Sequence, residues 1–278
     1  MGAFDEWIGR QTSRTEPITA RMLREYHATL AGTRGPGAVL PGFHWCLAPD
    51  VVEPQDFGRD GHPRTGIFLP ALPLPLRMWA GGALEFHAPF QPGDIVTRQS
   101  TIAEVTFKTG RSGQLGFVTV AHEYSVAGAP RLSERQDIVY RAPAPAGQPA
   151  PAPAPAEDWD ALRRWSITPT PTLLFRYSAL TFNGHRIHYD HPYATGVEGY
   201  DGLVVHGPLQ SVWMQNLAAA VLGHLPARFS YRGLVPLICN LPVTIEARQA
   251  GGGLDLRVRR DDDGVVTMQA RAEDPNLA

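Results

Sequence analysis

An α+β protein of two similar halves, each an antiparallel sheet wrapped around a central helix, is what this 278-residue sequence predicts. Three observations carry that reading. Segment 209–222 places Leu209, Val212, Trp213, Leu217, Ala220 and Val221 at spacings of three and four, which predicts an amphipathic helix. About four β-rich segments follow it, separated by Gly251-Gly-Gly253 and Asp261-Asp-Asp-Gly264, which read as hairpin turns. An Ala–Pro run at 142–156 divides the chain, and a similar set of strand-like segments precedes it.

In the first half, 18–30 reads as a helix, with Thr19 as its cap and Met22, Leu23, Tyr26 and Leu30 at helical spacing. The Pro- and Gly-rich stretch 39–76 predicts irregular structure. Strands are expected at 77–87, 95–107, 116–126 and 135–141, where β-branched and aromatic residues concentrate. Turns fall at Pro92-Gly93-Asp94 and at 108–113. The helix of this half is less well marked than its counterpart. Alternating Ala–Pro favours extended polyproline II, so 142–158 is expected to tether a domain at 1–141 to one at 159–278.

The second half opens with a strand at 164–168 and a short helical segment at 172–181, then a polar cluster at 183–190. Residues 202–205 are extended and run into His206-Gly207-Pro208. Pro208 suits the first turn of the following helix, where its missing N–H costs nothing, and Gly223 suits its end. Strands are expected at 228–234, 243–247, 254–259 and 265–272. The alternative architecture is two unrelated α+β domains.

Composition removes several function classes. The net charge of −2 offers no basic face for nucleic acid or an acidic membrane. Cys46 and Cys239 are isolated, which argues against a disulfide framework or a structural zinc site. There is no secretory signal pattern and no run of eighteen apolar residues, so a cytoplasmic protein is expected.

The segment Thr181-Phe-Asn-Gly-His-Arg-Ile-His-Tyr-Asp190 packs an amide, two imidazoles, a guanidinium and a carboxylate together. Such density is costly in a core, where every polar group must find a partner, and suits a catalytic loop. His188 can move a proton near neutral pH, and Asn183 can hold a water. His185 and Asp190 read as supporting or capping groups. Zinc held by His185, His188 and His206 fails for want of ligand spacing. Directly before the long helix, the backbone N–H of Gly207 sits where helix amides lack internal partners and carry partial positive charge. A thioester carbonyl aimed there gains oxyanion stabilisation.

The run Phe175-Arg-Tyr-Ser-Ala-Leu-Thr-Phe-Asn-Gly-His-Arg-Ile-His-Tyr-Asp190, followed by His206-Gly-Pro-Leu209, resembles the MaoC-like (R)-specific enoyl-CoA hydratases. The resemblance is closest to the double hot-dog branch of mesaconyl-CoA and itaconyl-CoA hydratases and mitochondrial 3-hydroxyacyl-thioester dehydratases. Arg77-Met-Trp-Ala-Gly-Gly82 with Glu85-Phe-His87, and 108–113, extend it to the first half. It implies a double hot-dog fold with a non-catalytic N-terminal half, and reversible addition of water to an enoyl-CoA. It implies no cofactor beyond the CoA thioester substrate, and a monomeric double hot dog or a homodimer. The family signature Asp-x-Asn-Pro-x-His-x-Asp puts the catalytic His on His188 and the last Asp on Asp190. Asn183 stands where the first, catalytic Asp would be, His185 on the Asn and Arg186 on the Pro. An amide cannot act as a base, so His188 is expected to serve as base and then acid, with Asn183 and Gly207 completing the catalytic set.

Arg186, His185 and His206 are expected to line the substrate, Arg186 by holding the free carboxylate of a dicarboxylic acyl group, with pairing to Asp190 or to a CoA phosphate as the alternatives. Lys108, Arg111, Arg77 and Arg98 are candidates for CoA phosphates. Dehydration of 3-hydroxyacyl thioesters of fatty acid or polyketide type is one alternative activity, and a non-catalytic acyl-CoA binder is the alternative of another class. A thioesterase is disfavoured because 202–225 contains no carboxylate to activate water.

Overall fold

The structure is a computed structural model that describes residues 4–110, 113–142 and 154–275. Ten strands among them form one continuous antiparallel sheet. The N-terminal half supplies β1 (Gln11–Pro17), β2 (Leu76–Phe86), β3 (Ile95–Gly110), β4 (Gly113–Val126) and β5 (Ala129–Arg141). The C-terminal half supplies β6 (Arg163–Ile167), β7 (Arg228–Gly233), β8 (Val243–Ala250), β9 (Gly253–Arg260) and β10 (Val266–Glu273). The order β1-β3-β4-β5-β2-β7-β10-β9-β8-β6 reads the same way outward from its centre in both halves. The halves join where β2 pairs with β7, from Gly81↔Arg232 to Glu85↔Arg228. No helix among the described residues is long and apolar enough to cross a membrane.

Four α-helices accompany the sheet: α1 (Ala20–Thr29), α2 (Pro171–Leu180), α3 (His191–Gly196) and α4 (Gly207–Leu222). Thr19 caps α1 as expected, its hydroxyl accepting from Met22 N–H at 3.2 Å. Thr170 does the same for α2 through Leu173 N–H. Pro208 lies in the first turn of α4, and Gly223 ends that helix in the left-handed conformation at φ 83°.

Two expectations change. The apolar spacing of 209–222 predicted a solvent-facing polar side, yet every residue from Pro208 to Ala219 is buried. The polar residues are paired inside instead: Gln210 accepts from the Thr267 hydroxyl at 2.6 Å, and Asn216 bonds Gly35 N–H and Pro41 O. A helix enclosed by sheet and by segment 33–48 has no wet face, and its amides satisfy the chain packed on it. Among the described residues the N-terminal half, in turn, has no long central helix. A single buried 3-10 turn, Phe43–Cys46, fills its core, because stretch 39–76 carries too many Pro and Gly residues for regular structure. One apolar cluster spans both halves, with Tyr26, Phe43, Trp45 and Leu84 packed together with Trp213, Leu217, Phe229 and Val258.

The strand β1 and the short helix α3 were not expected from pattern. Most of the Ala–Pro tether, and Arg111, lie outside the described residues. Cys46 and Cys239 are separate buried thiols.

Candidate active site

The polar cluster forms a tight turn between α2 and α3. Asn183 Oδ1 accepts from His185 N–H at 2.9 Å, which folds the chain into a 3-10 turn at Arg186–His188. Asp190 then caps α3 through Tyr193 N–H at 3.1 Å. Val204 anchors the turn from the next segment, its N–H donating to Ile187 O at 2.9 Å.

His188 is buried inside this frame, 7% exposed. Its Nδ1 lies 2.7 Å from the Val204 carbonyl. A carbonyl only accepts, so Nδ1 carries the proton and Nε2 keeps its lone pair. Nε2 has no protein partner among the described residues and is not among the nitrogens sealed from solvent. Burial, reinforced by the neighbouring His185, pulls the His188 pKa down to about 3, with the Val204 bond opposing the shift. The ring is a neutral base with a fixed tautomer.

His206 stacks on His188, centroids 3.6 Å apart and planes 21° from parallel. It is fully buried, although the sequence reading expected it to line the substrate. Ser178 of α2 fixes its Nε2 at 2.8 Å, and Tyr177 meets it edge-on. Burial holds this imidazole, too, well below its ordinary pKa. The next residue, Gly207, begins α4. Its N–H, the first of the helix, has no backbone partner among the described residues, and the helix hydrogen bonds start with Gln210 N–H to His206 O. The stack therefore places the His188 ring against the residue that directly precedes the free N–H of Gly207. The backbone of the N-terminal half closes this side: a Cβ on Gly207 would sit 3.9 Å from Trp79 O and 3.7 Å from Met268 Cε.

The remaining sequence candidates divide. Asn183 spends one lone pair of Oδ1 on the turn, leaving its NH2 to hold a water. His185 is 7% exposed, edge-on to His188 at 5.4 Å, with Nε2 3.8 Å from Glu198. Arg186 makes a fork to Asp190 (2.7 and 3.0 Å), donates to Arg59 O and covers the Tyr193 ring at 4.1 Å. Three of its five N–H donors are thus committed to the chain, and the geometry favours the Asp190 pair over a substrate carboxylate. Lys108 is exposed near the β3–β4 tip, its ammonium 5.1 Å from the Phe117 ring. Sequence reasoning missed Ser178, Val204 and His62, which meet the cluster only through folding. Among the described residues, no group of metal-binding side chains converges.

The model of the hydroxyacyl-thioester dehydratase type 2 family matches residues 42–239. The chain is 41% identical over 271 residues to mesaconyl-C(4)-CoA hydratase of Chloroflexus aurantiacus, spanning 96% of each. It is also 41% identical over 90 residues to the mitochondrial hydroxyacyl-thioester dehydratase type 2 of Schizosaccharomyces pombe, 31% of this chain and 30% of that one. Among solved structures, a MaoC-like dehydratase superposes with a TM-score of 0.70 at 14% identity, over 98% of this chain and 99% of its own. A Mycobacterium tuberculosis protein with a double hot-dog fold gives 0.61 at 15%, over 95% of each. At such identities these two carry the fold alone. From the mirrored strand order, the family match over most of the chain and the full-length relative, the chain belongs to the hydroxyacyl-thioester dehydratase type 2 family and is a double hot-dog hydro-lyase.

Proposed function

We propose that this enzyme adds water reversibly to the double bond of a short dicarboxylic enoyl-CoA such as mesaconyl-CoA, with His188 as the proton-transfer group. The observation that carries the reading is the Nδ1–Val204 bond, which leaves a lone pair on Nε2 beside the start of α4. The full-length relative's name supports the acyl group, and itaconyl-CoA is a close chemical alternative.

In the hydration direction, Nε2 takes a proton from water held by the Asn183 amide. The water oxygen bonds to Cβ, and the double-bond electrons shift into the thioester. Gly207 N–H, at the positive end of α4, steadies the resulting enolate oxygen. The imidazolium then returns its proton to Cα, and the lone pair is restored. A base pulled so low by burial would be weak alone. The enolate forming beside it supplies the negative charge that an imidazolium needs in a dry site, so charge appears on both partners together.

His185 and His206 hold the base in place. Lys108 shares a sheet row with Leu115, Arg141 and Leu76, at the end of the sheet that also carries Arg77, which supports a CoA phosphate role for Lys108. Each chemical role falls to a group of this chain, so no cofactor enters the proposal. A cytoplasmic location is part of it, supported by two unpaired thiols that suit a reducing compartment.

A panel of dicarboxylic and simple enoyl-CoA thioesters tests the reading. Loss of conjugated-thioester absorbance with mesaconyl-CoA, without release of free thiol, is expected. Thiol release would identify a thioesterase, and binding without turnover an acyl-CoA binder.

A further inference from the structure

The proton-transfer and oxyanion roles belong to the C-terminal half, yet one loop of the N-terminal half is fastened to the catalytic turn. Residues 57–64 close on themselves: Phe57 bridges Pro63, Gly58 N–H donates to His62 O at 2.7 Å, and Asp60 Oδ1 accepts from His62 N–H. Arg77 of β2 grips the Asp60 carboxylate and donates to Pro63 O at 2.8 Å. Across the halves, Asp60 O accepts from Arg186 N–H at 2.8 Å, and Arg59 O from Arg186 Nη1 at 3.2 Å. Gly61 lies so close to Gly184 that a Cβ on it would meet Gly184 O at 2.1 Å, and its φ of +86° suits glycine.

What the loop delivers is an imidazole. The His62 ring lies 4.5 Å from His185, which lies edge-on to His188. Neither ring nitrogen of His62 has a protein hydrogen-bond partner among the described residues, and neither is sealed from solvent.

We propose that loop 57–64 is a clamp on the active centre, and that His62 is a positioning residue that holds the His185 ring against His188 and keeps water from the row of imidazoles. The proposal rests on the reading of His188 as the base.

The charged groups facing the row come from several elements. The clamp brings the Arg77–Asp60 pair, the catalytic turn the Arg186–Asp190 pair, and the segment after α3 brings Glu198, held by the Tyr193 hydroxyl. His206, with Tyr177, covers the far face of His188. Burial is the main cause that pulls both His62 and His188 down. Water admitted beside His185 therefore raises His188 toward the ordinary imidazole range.

The test is kcat, KM and the pH profile of kcat/KM for H62A, H62Q and H62F on one enoyl-CoA. In H62A and H62Q we expect kcat to fall about tenfold, KM to change less than about threefold, and the acid limb to move up by about one pH unit. H62F, which keeps a ring against His185, is expected to keep the acid limb where it is. H62Q, near His in size, carries the test if H62A does not fold. Parental kcat and acid limb in H62Q, or a rise in KM alone, would overturn the proposal. H188A separates the two readings. An active H188A sinks the base assignment, whereas an inactive H188A with an unaffected H62Q sinks only the clamp.

Discussion

The rings of His188 and His206 stack at 3.6 Å between centroids, and Ser178 fixes the outer ring through its Nε2. Orientation of the base is thereby set from two sides, by Val204 O on one nitrogen and by a held imidazole on the face. Removing the Ser178 hydroxyl frees His206 to turn. We predict that Ser178→Ala lowers kcat about tenfold with little change in KM, as expected for misplacement of a base rather than loss of binding. Steady-state kinetics on one enoyl-CoA decides it.

The role proposed for Gly207 needs its N–H, not its lack of a side chain. A Cβ there meets only ordinary contacts, with Met268 Cε at 3.7 Å as the nearest atom. Gly207→Ala should fold and keep most of its activity. Gly207→Pro, which suits a first helical position but has no N–H, should lose roughly 3 kcal/mol of transition-state stabilisation, about a hundredfold in kcat. Equal activity in both variants would remove the oxyanion role.

Acid should weaken the fold before it titrates the base. Burial pulls the His44 pKa down to about 4 and that of His188 to about 3, whereas both groups titrate near 6.5 when unfolded. Below pH 6.5 the unfolded chain holds more protons, so stability falls as pH drops from 6.5 through 4 and 3. At pH 5 the loss is about 2 kcal/mol for each of these two imidazoles. Urea midpoints at pH 7.5 and pH 5 measure it; an unchanged midpoint would contradict the burial of neutral rings.

Arg186 is committed to Asp190, Arg59 O and the Tyr193 ring. Arg186→Ala should therefore loosen the turn and lower kcat without changing the preference between dicarboxylic and simple enoyl-CoA substrates. A selective loss on the dicarboxylic substrate would restore the carboxylate role expected from sequence.

Most strands and the helices α1 and α4 were legible because local chemistry sets them: β-branched runs between Gly-rich turns, Thr19 before α1, Pro208 and Gly223 around α4. The enclosed character of α4 was not, since Gln210 and Asn216 look solvent-facing until the chain that pairs with them arrives from positions far away in sequence. Residue chemistry pointed to the cluster 183–190 and to His188 within it, and the family resemblance put the catalytic His on the same residue. The groups that orient it, Ser178 and Val204 O, carry no pattern, for one is an ordinary helix residue and the other a backbone atom. His62 reaches the cluster only because the loop of the other half folds over Gly184.

The central claim is that a neutral His188 moves the proton while Gly207 N–H holds the oxygen. Its most direct measurement compares the native protein with His188→Ala on mesaconyl-CoA, following conjugated-thioester absorbance together with thioester affinity. The account predicts a rate at least about a thousandfold lower in the variant, with affinity within a few-fold of the native protein. Hydration by His188→Ala at a rate close to native would contradict it.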